Sequence, residues 1–169
     1  MKFTTKVAPA LLMVTVMTGS GQAVTTTLTI NVTTTQPGCN ITVPSSHMLE
    51  ALVPGKTGTD HPPLKIIWSC EGNTPLKTAL AAAIVSGDSE GDRRVHLMTD
   101  GRQRSGVTLS LREKTSGNLI KLTGTENFCS DTGGTTGMRT CTLIPVTDVS
   151  RGSVPGNASA TLRFEVRYV

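Results

Sequence analysis

The sequence predicts an all-β chain folded as a sandwich of short antiparallel strands, and three observations carry that prediction. Apolar and polar residues alternate with a period of two almost wherever there is a period at all. Clusters of Gly, Pro, Asn and Asp punctuate the alternating runs, in a chain of 169 residues with 17 Gly and 9 Pro. Four cysteines, an even number, suit a small disulfide-stapled β-domain. The length fits one domain, and 37% hydrophobic with 17% charged residues excludes both a charged disordered tail and a helical bundle.

Residues 1–23 read as a secretory signal peptide. Lys2 and Lys6 form a basic start, Val7 to Met17 an apolar run, and Gly21 and Ala23 sit where a signal peptidase cuts. The run is too short to span a bilayer core of roughly 30 Å. Cleavage after Ala23 removes two lysines and lowers the formal charge from +4 to +2. The basic excess that would suggest a nucleic-acid partner then largely disappears, so none is expected.

The mature chain opens on Val24 to Thr35, in which Val24, Thr26, Leu28, Ile30 and Val32 share one face and the run holds no Pro, Gly or charge. Such a β-branched strand at a terminus is an aggregation hazard unless something pairs with it. Leu64, Ile66, Trp68 and Cys70 alternate next, and Trp68 on that apolar face reads as core. Leu76 to Val85 suits helix or strand, and its context favours strand. Val95 and Leu97, then Val107, Leu109 and Leu111, mark two more half-buried strands. The chain closes on Ala158 to Val169, where Ala160, Leu162, Phe164, Val166 and Tyr168 alternate with Thr161, Arg163, Glu165 and Arg167. Turns are expected at Pro54-Gly55, Pro62-Pro63, Glu71-Gly72-Asn73, Asp100-Gly101, Ser116-Gly117-Asn118 and Thr132-Gly133-Gly134.

Chain order favours pairing Cys39 with Cys70 and Cys129 with Cys141, each pair flanking a turn-rich segment. Neither spacing is the C-x-x-C of a redox or zinc site. Cys129–Cys141 is expected to brace a loop over Ser130 to Thr140.

Catalytic motifs fail on context. Gly55-Lys56-Thr57 ends like a phosphate-binding loop, but the required first Gly is Glu50. Asp88, Glu90 and Asp92 lack the Gly and Glu of a calcium loop, since Arg93 and Thr99 stand there. Gly87-Asp88-Ser89-Glu90-Gly91 spells a nucleophile elbow without a following helix or a credible base, and reads as a strand-connecting turn. His47, His61 and His96 are scattered and expected at the surface. Asn31, Asn40 and Asn157 stand in glycosylation sequons, which matter only in a glycosylating pathway. No enzyme, cofactor or metal is expected.

The terminal segments, with Gly156 fourteen residues from the end, Tyr168 penultimate, and the Cys39 and Cys70 placements, resemble the pilin subunits of chaperone-usher fimbriae of the type 1 and P pilus kind. The resemblance runs over essentially the whole chain. It implies an incomplete immunoglobulin-like sandwich lacking its last strand, with residues 24–35 as an N-terminal donor-strand extension and residues 36–169 as the pilin domain. Thr26, Leu28, Ile30 and Val32 would fill a neighbour's groove. Gly156, Ala160, Leu162, Phe164, Val166, Tyr168 and Val169 would form the groove and chaperone-binding edge, and Cys39 and Cys70 would join the first two strands. The implied partners are a periplasmic chaperone, an outer-membrane usher and neighbouring subunits, and the implied location is a fimbria at the cell surface, contributing to adhesion. The second cysteine pair is outside the common family pattern and suits a minor or tip-associated subunit. The competing expectation from another class is a secreted sandwich-type carbohydrate-binding domain, for which exposed aromatic residues are scarce.

Overall fold

In a computed structural model, the described residues are 26–32 and 38–169, and among them the structure is all-β with no helix. The expected signal peptide, and Val24, Thr25 and residues 33–35 of the expected extension, lie outside them. Twelve strands follow in chain order: β1 (Thr26–Val32), β2 (Cys39–Thr42), β3 (Ser46–Leu49), β4 (Thr59–Asp60), β5 (Leu64–Cys70), β6 (Leu76–Ser86), β7 (Asp88–Glu90), β8 (Arg94–Thr99), β9 (Arg104–Glu113), β10 (Phe128–Thr135), β11 (Gly137–Val149) and β12 (Ala158–Tyr168).

Hydrogen bonding runs through one curled sheet in the order β10-β6-β12-β8-β9-β11-β5-β2. The curl happens at β12. From Thr161 onward β12 pairs with β6, whereas Ala158 and Ser159 pair with β8 on that same edge. The handover is at Gly87, whose φ of 124° is open only to glycine and where an added Cβ would fall 2.5 Å from Val95 Cγ2. One layer, β10-β6-β12, therefore folds over the other, β8-β9-β11-β5-β2.

The core between the layers is made by the alternating residues of each strand. Leu64, Ile66 and Trp68 of β5, Val107, Leu109 and Leu111 of β9, and Leu162, Phe164 and Val166 of β12 are all buried. Phe128 of β10 meets Phe164 edge to face, with ring centroids 6.3 Å apart. Trp68 donates its indole N–H to the Thr78 hydroxyl at 3.0 Å, a bond from β5 of one layer to β6 of the other.

Both disulfides form as chain order favours. Cys39–Cys70 staples the neighbouring strands β2 and β5. Cys129–Cys141 does more than brace a loop. It joins β10, which is bonded to β6, to β11, which is bonded to β5 and β9, and so ties one layer to the other. The expected loop over 130–140 and the turn at Thr132-Gly133-Gly134 are accordingly strand, because both flanks find ladder partners. Leu76 to Val85 lies within β6, strand as expected.

Two histidines and a turn also need correction. His61 is 4% exposed and is core, not surface. Its Nδ1 accepts the Glu50 N–H at 3.2 Å, which leaves the proton on Nε2 to be donated to the Thr147 hydroxyl at 2.7 Å. His96, half-buried, lies 3.4 Å from the Thr108 hydroxyl and 3.8 Å from Glu90. Asp88 to Glu90 form strand β7 in a hairpin with β8 and do not make a simple connecting turn.

Candidate functional site

The site with the clearest construction is the edge of β12 that β6 does not use. β1 lies along it in parallel, with Thr26 opposite Ala158, Leu28 opposite Ala160, Ile30 opposite Leu162 and Val32 opposite Phe164. On its other edge β1 is antiparallel to β3 over Thr26 to Thr29. The N–H of Ile30 also donates to the Ser45 carbonyl at 3.2 Å.

This arrangement follows from the sequence pattern. The strand's period of two puts Thr26, Leu28 and Ile30 on one face, and the structure buries all three, at 0%, 0% and 4% exposure. Facing them in the same core are Ala160, Leu162 and Phe164. Full burial of Leu28 and Ile30 contributes about 1.5–3 kcal/mol each. Thr26 works in the opposite direction, because its Oγ1 is buried with no hydrogen-bond partner, and such an orphan costs about 1–3 kcal/mol.

The predicted site residues are only partly brought together. Thr26, Leu28 and Ile30 occupy a groove, but it is the groove of their own chain. Residues 26–32 belong to the same sheet as residues 38–169 and do not project from it. Val32, opposite Phe164, is 39% exposed. Of the proposed groove residues, Ala160, Leu162, Phe164 and Val166 are buried. Tyr168 and Val169 are exposed at 40% and 48%. Gly156 precedes β12, and its φ of 130° supplies a turn that other residues adopt only with strain. The Tyr168 hydroxyl lies 3.4 Å from Cys39 Sγ, and because that sulfur is in a disulfide the hydroxyl donates.

The residues of the motifs considered above make structural pairings. Ser89 of β7 is paired with Val95. Asp88 pairs with Arg104, and Asp92 with Lys121. Among the described residues no three His, Cys, Asp or Glu side chains form a metal-holding group. No helix there is long and apolar enough to cross a membrane. Two disulfides point to an oxidising, exported compartment.

Two features of the structure were not expected from the sequence. Arg139 of β11 is 7% exposed, and its guanidinium donates to the carbonyls of Leu76, Gly137 and Thr135 and to Asp131 at 3.1 Å. The Thr135 hydroxyl, and then Arg139, hold the Asp131 carboxyl below its ordinary range. The second feature is the stretch between β9 and β10, whose Ile120 and Leu122 enter the core. The sequence signal for both was weak, a single charge in an alternating run and two apolar residues outside any period.

Comparison with known protein families and with curated proteins found no match.

Proposed function

We propose that this protein is an exported, non-enzymatic structural subunit of an adhesive surface fimbria, assembled by exchange of β-strands between subunits. The observation that supports this reading is the β1–β12 edge, where a terminal strand closes the core by main-chain pairing plus three side chains set two residues apart. That is the physics of strand addition, in which the ladder gives generic affinity and alternate side chains give register. The same residues from a second copy would satisfy the same edge. On this reading the domain is immunoglobulin-like but incomplete without a donor. A periplasmic chaperone would hold the groove open-competent, an outer-membrane usher would receive the subunit, and the next subunit would replace the donor. The protein would work by binding alone, without cofactor or metal.

The Gly156 and Tyr168 placements in the sequence support this reading; the Cys39–Cys70 bond joins β2 to β5, with β3 and β4 between them in chain order. A mixing experiment tests the proposal. Chains beginning at residue 36 are mixed with intact mature chains and resolved by gel filtration. A one-to-one heterodimer, lost when the intact partner carries Leu28→Asp, supports exchange between chains. If only the starting species elute after prolonged incubation, the proposal fails.

A further inference from the structure

From the stretch between β9 and β10 we infer a second site, a shallow binding site for a neutral, hydroxyl-rich ligand of the pyranose sugar class. It is independent of the strand-exchange reading. Residues 114–127 form no regular strand, yet the core and the ladders of other strands hold them in place. Lys114 N–H donates to the Thr142 carbonyl at 2.9 Å, Ile120 to Leu111 at 2.9 Å, Leu122 to Asp92 at 2.7 Å and Gly124 to Ala82 at 2.7 Å. The side chain of Arg167 adds a bond to the Gly124 carbonyl at 2.5 Å. A long, irregular and firmly tethered segment is the usual way a β-scaffold presents a binding surface, and its order is settled before any ligand arrives.

The segment encloses one side of a concavity of about 470 Å³. That is near the lower end of the roughly 300–1,000 Å³ of small-ligand sites, suited to one or two sugar rings. Its charges balance. Lys121 is paired with both Asp92 and Glu126, and Arg93 sits 3.8 Å from Asp92, so each cation has a carboxylate beside it. Glu113 accepts from the Ser116 hydroxyl at 3.0 Å and keeps further acceptor capacity. Asn118 and Asn127 line the concavity with exposed carboxamides that no hydrogen bond within the described residues uses. Each carboxamide offers a donor and an acceptor side by side, the complement of adjacent hydroxyls that also do both. The lining is mainly polar, with half-buried Leu119 as its apolar contribution and Ile120 and Phe128 buried beneath it in the core. No exposed aromatic ring lines the concavity, so binding is expected in the millimolar range, about 4 kcal/mol at 1 mM.

The test is an amide chemical-shift titration of the intact mature protein with mannose, galactose, glucose and N-acetylglucosamine, each into the tens of millimolar, beside sulfate and sialic acid as anionic probes. The inference predicts saturable shifts for at least one neutral sugar, confined to residues 113–128 and Arg93. Asn118→Ala and Asn127→Ala should each weaken that binding about tenfold while leaving the thermal midpoint unchanged. No saturation with any neutral sugar, shifts centred elsewhere, or saturation by the anions alone would overturn it. Wild-type affinity in both Asn variants would overturn it as well.

Discussion

Ile30 of β1 stands opposite Leu162 of β12 in a parallel ladder, so the first described strand of the chain runs beside the last and in the same direction. The pairing closes the core at a cost in chain entropy that local structure does not offset, because the two strands are separated by almost the whole sequence. The apolar surface of β12 is thereby covered by a short segment whose only other ladder is with β3. On the proposed reading, this is the strand exchanged for an equivalent strand from elsewhere.

Leu28 is the anchor of that segment. Leu28→Ala leaves a cavity against Ala160 and Leu162 and should destabilise the mature chain by about 2–5 kcal/mol. Denaturant unfolding checks this, and hydrogen exchange should locate the loss at β1 and the facing edge of β12, with little change at β9 and β11.

Thr26 should respond in the opposite sense. Its buried Oγ1 has no partner, so Thr26→Val keeps the shape and removes the orphaned group. The expected gain is about 1 kcal/mol, read as a higher denaturant midpoint at unchanged slope.

The two disulfides should differ in what their loss does. The closed loops span 31 residues for Cys39–Cys70 and 12 for Cys129–Cys141. Chain-entropy arguments give about 4 and about 3 kcal/mol respectively. Replacing Cys129 and Cys141 by Ala should also loosen the contact between layers. Phe128 and Phe164 would then lose their fixed edge-to-face geometry, visible in near-ultraviolet circular dichroism, whereas Cys39/Cys70→Ala should leave that signal largely intact.

His61 makes stability depend on pH. Burial holds its pKa below the ordinary 6.5, against the raising influence of Glu50 and Asp60, with His47 lowering it further. A folded-state pKa below the unfolded one means that the unfolded chain takes up the proton first as pH falls. The contribution is therefore fully present above about pH 6.5 and is lost as pH falls toward the folded-state pKa. Midpoints measured at descending pH should drop through this window in the wild type and stay flatter in His61→Gln. An equal pH response in both would show that other groups set the slope.

Alternation made part of this fold readable and left part hidden for physical reasons. β5, β9 and β12 each bury one face, so Leu64, Ile66 and Trp68, or Leu162, Phe164 and Val166, announce themselves. β6 buries every residue from Thr78 to Ala82, which erases the period and left helix as a competing reading. His61 sits between Asp60 and Pro62 with no periodic signal, and its partner Thr147 is 86 residues away. The extension over Val24 to Thr35 declared which face it would bury but not whose core it would enter. Backbone ladders carry no address, so Leu28 and Ile30 fit their own β12 by the same rules that would fit them to another chain.

The most direct measurement is thermal unfolding of the chain from residue 36 onward, with and without a synthetic peptide of residues 24–35, beside the intact mature chain. The account predicts that the truncated chain melts below the intact one and that the peptide restores several degrees by mass action. A Leu28→Asp peptide should restore nothing. A truncated chain that melts with the intact one and ignores the peptide would contradict the claim that β1 is an exchangeable strand completing the β12 edge.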